Sequence, residues 1–312
     1  MTAADVIQSA YEDLGEINPG ATVAAPDLAM ALNRLNQLTK QWQGKADHFP
    51  GLKVWTRQRL TLFPEVGKAR YLVGPASSDD RATANTVVTL TTAARSASGT
   101  ALSVALVTGV TNGDAVGIVL SDGTLGWTTL SSGAGTTSWT LAANSLGASG
   151  ANAVVYTYTS KAQRFVELEA VKLRDWSIPT QPIDIDVDVY TDVGQYEAVT
   201  QKLAPGDPLT VLIEPMRLNT VVTCNFASVN MYKALRLTVI YPAEDYDSAV
   251  GADDIAYPQE WYAALSWELA FRLSGSSGRW TKFMQDNRVN ALNMAVGLNP
   301  DNTSLHFEPG KE

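Results

Sequence analysis

The sequence predicts an α+β fold: a helical hub formed by the N- and C-terminal helices, with a β-rich middle that includes an inserted small β-sandwich or barrel. Three observations predict it. Apolar residues recur at helical spacing near both ends of the 312-residue chain. Almost everything between reads as strand. From about Ala76 to Ser160 the composition shifts to Thr, Ser, Gly, Ala and Val, with little Lys or Glu.

Ala3 to Leu14 suits a short helix, with Val6, Ala10 and Leu14 on one side and Thr2 as N-cap. Gly15 to Pro26 is a connection punctuated by Gly, Asn and Pro. Asp27 to Trp42 is a firmer helix, because Leu28, Leu32, Leu35, Leu38 and Trp42 follow the 3.6-residue period and Gly44 ends it. Leu52 to Phe63 and Arg70 to Val73 read as extended. In the Thr-rich stretch, Asp122-Gly123 between Gly117–Leu120 and Leu125–Thr128 is a strong hairpin signal. Short strands at such spacing predict a sandwich or barrel. Beyond it, Ile183 to Val189 alternates apolar residues with Asp184, Asp186 and Asp188. Gln195 to Leu203 suits a short helix, and Leu209–Glu214, Thr220–Phe226 and Ala234–Ile240 complete a second β-region. The two β-regions differ in composition and read as separate units.

In Tyr257 to Leu273, Pro258 fits a first helical turn. Trp261, Leu265, Leu269 and Leu273 recur at four-residue steps, widened by Ala264, Trp267 and Phe271. Trp280 to Val296 is a last helix. The expected divisions are 1–75 (first helices and strands), 76–160 (inserted β-domain), 161–256 (second β-region), 257–298 (C-terminal helices) and 299–312 (extended tail).

Hydrophobic residues make up 45% of the chain, ample for a buried core. No apolar run approaches the roughly 20 residues of a membrane helix, so no membrane partner is expected. The first residues lack the basic and apolar regions of a secretory signal. A single cysteine, Cys224, fits a reducing compartment. The formal charge of −9 disfavours tight wrapping of nucleic acid. It suits a wall that repels phosphate and leaves a passing duplex mobile.

Motifs for chemistry are sparse. His48 and His306 lie in connecting or terminal sequence, without a second histidine at ligand spacing. Cys224, inside V-V-T-C-N-F, reads as a buried thiol. Asp184, Asp186 and Asp188 stand roughly 7 Å apart along a strand, too far for three to share one ion unaided. They read as a solvated face. Trp127 and Trp139 fit a sandwich core better than a sugar-stacking platform. No catalytic residue, metal or cofactor is expected, and the chain reads as a non-enzyme.

In this order, three segments carry a family resemblance. The opening holds D-V-I-Q-S-A-Y-E-D-L-G and then L-N-R-L-N-Q-L-T-K-Q-W; the middle ends I-Y-P-A-E-D-Y; the C-terminal part holds Y-P-Q-E-W-Y-A-A-L-S-W-E-L-A. The chain thereby resembles the head-to-tail adaptors of short-tailed bacteriophages, also called tail accessory factors or head completion proteins. The Thr-rich stretch departs from the minimal family pattern. The resemblance implies a structural virion protein, made in the host cytoplasm and placed at the head–tail junction. It implies a ring of about twelve copies beneath the portal protein, extending the channel for double-stranded DNA, without sequence-specific binding, toward a tail nozzle or hub protein. Leu35, Trp42, Trp261, Leu265 and Trp267 are then the hub packing residues. Leu305 and Phe307 in the polar tail are the portal-binding anchors, since a docking peptide needs a few apolar side chains. The alternatives are a cell-wall-degrading tail enzyme, which needs two cleft carboxylates with one pKa raised, and a carbohydrate-binding tail component centred on Trp127 and Trp139.

Overall fold

The structure is a computed structural model. It describes residues 1–43, 56–74, 80–142, 146–190, 192–200, 202, 204–243, 245–246, 254–255, 257–276 and 280–297. The helices are α1 (Ala3–Asp13), α2 (Ala25–Gln43), α3 (Val193–Glu197), α4 (Tyr262–Leu273) and α5 (Lys282–Gly297). The first strands are β1 (Arg57–Phe63), β2 (Arg70–Val73), β3 (Arg81–Thr83), β4 (Val87–Leu90), β5 (Ala101–Ser103), β6 (Ala115–Val119) and β7 (Leu125–Ser132). The rest are β8 (Ser138–Leu141), β9 (Val154–Tyr158), β10 (Glu167–Asp175), β11 (Ile183–Tyr190), β12 (Thr210–Pro215), β13 (Thr220–Cys224) and β14 (Lys233–Ile240).

This corrects the expected fold class. The chain is mostly β, built on two curled sheets with five short helices among the described residues, not a helical hub carrying a small β-insert. Leucine and tryptophan spacing marks the terminal helices strongly but says nothing of their share of the chain. The plainer Val- and Thr-rich strands between them supply most of the ordered backbone.

Two units form, one from Met1–Thr56 with Pro242–Glu312 and one from Arg57–Tyr241. In the first, Thr2 opens α1 through a capping box. Its backbone N–H donates to the Asp5 carboxylate (2.8 Å), and the Asp5 N–H donates to the Thr2 hydroxyl (3.2 Å). Val6, Ile7 and Ala10 of α1 pack in one core with Leu35 and Leu38 of α2 and Leu265 and Leu269 of α4. Leu35 and Leu265 are wholly buried, and each such leucine contributes about 1.5–3 kcal/mol. Asn36 of α2 clamps chain 210 positions away: its amide donates to the Tyr246 carbonyl (3.1 Å), and its oxygen accepts from the Tyr246 N–H (2.9 Å). The Tyr257 hydroxyl donates to the Thr39 carbonyl (3.1 Å).

In the second unit, an eight-stranded sheet has the order β2-β13-β12-β11-β10-β14-β1-β3, antiparallel except between β11 and β12. A six-stranded antiparallel sheet has the order β4-β9-β6-β7-β8-β5. Its β6–β7 hairpin turns at Asp122–Gly123, where Gly123 takes φ +82°, a left-handed value that glycine adopts freely. The two β-regions are not separate units as their compositions imply, since a shared core joins them. Phe63 of β1 meets Tyr156 (5.0 Å between ring centroids), Tyr158 (6.1 Å) and Trp127 (5.2 Å) from the six-stranded sheet. The Tyr156 hydroxyl, fully buried, donates to the Met231 carbonyl (3.1 Å).

The alternation along β11 also behaves differently from its pattern. Val187 is buried, but Ile183 and Ile185 on the same face are exposed. The reason is register: β12 pairs only with Asp188 to Tyr190, so the first half of β11 is a sheet edge beside β10.

Candidate functional site

Of the residues expected to pack the helical termini, Leu35, Trp42, Trp261 and Leu265 meet in one core. The Trp42 ring stands edge-on to Trp261 (5.8 Å) and Tyr257 (6.4 Å). Trp267 is half-buried and edge-on to Trp280 (6.5 Å), whose ring also meets Phe271 (5.1 Å). Leu305 and Phe307 lie outside the described residues, as do His48 and His306.

Helix α5 joins this unit by one side only. Arg288 donates to the buried Glu268 carboxylate of α4 (2.6 Å) and lies over the Phe271 ring at 4.1 Å. Ala295 is buried, whereas Phe283 (71% exposed), Val289 and Met294 (72%) stand open to solvent. Near the C-terminal end of α1, burial raises the Asp13 carboxyl, and the Ser266 hydroxyl, which donates to it at 2.8 Å, opposes that shift.

Several residues that the sequence singles out are buried or paired. Cys224 is buried on β13, and burial pushes its thiol up to about 12, so it stays protonated at neutral pH. Asp184 accepts two hydrogen bonds from Arg174 (both 2.6 Å), and Asp186 pairs with Lys172 (2.9 Å). Among the described residues, no group of three or more His, Cys, Asp or Glu side chains is placed to hold a metal ion. Trp139 is 1% exposed in the core of the six-stranded sheet, so it offers no face for a sugar. Trp127 is boxed by Phe63, Tyr158 and the Arg81 guanidinium (4.6 Å over its ring). An open groove of about 590 Å³ lies beside α3, lined by Lys68, Arg70, Tyr196, Lys202 and Glu214 among others. Lys202 sits over the Tyr196 ring (4.9 Å) and pairs with Glu197 (2.6 Å).

One cluster escaped sequence reading. Arg59 of β1 and Arg236 of β14 share the face of the eight-stranded sheet turned away from its core, because Arg236 is the cross-strand partner of Thr61, two residues from Arg59. Their 177-residue separation hides the pairing, and only the register reveals it.

Comparisons with protein-family models, with curated proteins and with solved structures find no match for this chain. Among the described residues, no helix is long and apolar enough to cross a membrane.

Proposed function

We propose that this chain is a non-enzymatic structural component of a short-tailed phage virion, a ring-forming adaptor between portal protein and tail. One observation carries the reading. Of the segments that resemble the adaptor family, Asp5–Gly15, Leu32–Trp42 and Tyr257–Ala270 come from opposite ends of the chain yet supply one hydrophobic core. A likeness spread over distant segments has more weight when those segments make up one physical object. The open apolar side chains of α5 add support, because a subunit of a ring needs contact surface that its own fold does not use. The working parts are then mechanical: a packed helical unit, a β unit with tied-up carboxylates, and the 299–312 tail carrying Leu305 and Phe307 to the portal.

The test is to mix purified chain with its portal ring and measure mass or image the particles. A defined multi-copy complex is the expected result; persistent failure to form one removes the reading. Deleting Asn299 to Glu312 should weaken attachment while leaving the circular-dichroism spectrum intact. A cell-wall turbidity assay on the same preparation should stay flat, and clearing would instead favour the tail enzyme.

A further inference from the structure

Strand β11 leaves part of the eight-stranded sheet unfinished. Residues 183–187 pair with β10 on one side, and β12 takes up the other side only from Asp188 onward. The Asp188 N–H donates across to the Leu209 carbonyl (2.9 Å). Alternate residues of a strand turn their N–H and C=O groups to the same side, so those of Asp184 and Asp186 face the open side as well. They have no main-chain partner there among the described residues. The chain that enters β12 does not fill the gap, because it is held beside Ala227 instead. The Ala227 N–H donates to the Ala204 carbonyl (3.1 Å), and the Gly206 N–H donates to the Ala227 carbonyl (3.0 Å). On the core face of this edge, Ile183 and Ile185 are exposed in line with the buried Val187, and Leu209, just ahead of β12, is exposed too.

The sheet's two outer edges are closed by comparison. On β2 the Leu72 N–H donates to the Asp80 carboxylate, and on β3 the Ala82 carbonyl accepts from the Ala162 N–H (2.6 Å). Residues 183–187 therefore form an open stretch of about 16 Å, at roughly 3.3 Å per residue.

The gap itself defines what fits it. A row of unpaired main-chain groups calls for an extended backbone that completes the ladder. Ile183 and Ile185 call for apolar side chains at alternate positions on their face. On the opposite face the row next to the gap is Asp184, Asp186 and Asp188, and the basic partners Arg174 and Lys172 stand on the far side, on β10. Basic side chains on an incoming strand would flank these carboxylates from the open side. Asp188, exposed and without an ion-pair partner among the described residues, gains most. The β11 of a second copy is a poor occupant, because antiparallel pairing sets residues of one face opposite each other, Asp against Asp. Its β2 and β3 are capped already.

We infer that β11 accepts, along residues 183–187, an extended segment of another protein in which basic and apolar residues alternate, adding one strand to the eight-stranded sheet. Main-chain bonds supply the hold, and the two faces supply the selectivity. This acceptor role goes beyond the ring reading and does not depend on it.

The test uses the full chain and a synthetic peptide, Lys-Val-Lys-Val-Lys-Val-Lys, followed by fluorescence anisotropy and amide hydrogen exchange. One control peptide carries Glu in place of Lys, and another has every amide N-methylated. The lysine peptide should slow exchange at Asp184 and Asp186 by roughly tenfold or more, and neither control should. Asp186→Pro deletes one open-side N–H and leaves the bonds to β10, because that N–H points away from β10. Asp186→Ala loses the same carboxylate but keeps the N–H. The proline variant should bind the peptide roughly tenfold more weakly than the alanine variant, a difference that net charge alone would not produce. Ile183→Ser with Ile185→Ser, both at exposed positions, should weaken binding too, and melting curves check that each variant is folded. No slowing of exchange at millimolar peptide, or equal binding by the proline and alanine variants, would overturn the inference. So would wild-type self-association that the proline variant loses, since the occupant would then be a second copy.

Discussion

Replacing Gly117 with alanine should loosen the joint between the two sheets. Gly117 sits on β6, buried, with Trp127 across the strand. A Cβ built there meets three ring carbons of Trp127 at 2.7, 2.8 and 2.9 Å. Carbon atoms prefer about 3.5–4.0 Å, so the ring must retreat by close to 1 Å. It has little room, being held by Phe63 at 5.2 Å, Tyr158 at 5.5 Å and the Arg81 guanidinium at 4.6 Å. Overpacking of this kind costs about 1–3 kcal/mol, and each disturbed aromatic pair adds about 0.5–1.5 kcal/mol. Losing a strand glycine returns about 0.5–1 kcal/mol of backbone entropy. The net is a loss of about 2 kcal/mol, or a fall in Tm of roughly 4–8 °C for a unit of this size. Urea denaturation of wild type, Gly117→Ala, Trp127→Leu and the double variant closes a cycle. With the ring gone, the alanine should cost almost nothing. An alanine penalty that is the same in both backgrounds would refute the reasoning.

Other perturbations probe the helical unit and the acid limb of stability. Asn36→Ala strips both hydrogen bonds from the Tyr246 backbone and should cost about 1–3 kcal/mol by denaturant titration, more than the exposed Gln37→Ala control. Thr2→Ala removes the side chain that caps α1 and should cost about 1 kcal/mol, read in the same titration. The Asp184 carboxyl is held below its ordinary value, chiefly by its hydrogen bonds with Arg174. Its contribution is therefore complete above the unfolded value near 3.9 and disappears as pH falls through the lower folded one. Arg174→Ala should flatten that acid limb of a Tm-against-pH profile, and an unchanged profile would count against the pairing.

Local signals in the sequence were read more easily than long-range ones. Thr2 three residues before Asp5 and the leucine period through Trp42 specify helices from neighbouring residues alone. The Asp122-Gly123 turn does the same for its hairpin. What stayed hidden depends on which strand lies next to which. Ile183 and Ile185 look like core because of their alternation, but burial requires a neighbour, and β12 begins only opposite Asp188. Phe63, Tyr156 and Trp127 are ordinary strand aromatics until the two sheets meet. The fold class departs from the sequence expectation for a related reason: helical periodicity is vivid, whereas the many short strands are plain. The core residues Leu35, Trp42, Trp261 and Leu265 were legible because helix faces announce themselves. Arg59 and Arg236 were not, since charge on a strand carries no sign of what lies across from it.

Arg57 and Ile240 are cross-strand partners at the point where β1 begins and β14 ends. The backbone therefore departs and comes home through adjacent doorways, about 5 Å apart. A bridge of about two or three residues is long enough to span such a gap. Replacing or removing the whole β excursion at these two points would therefore ask only a short bridge of the rest of the chain. The helical half is, in that sense, a chassis with a removable body.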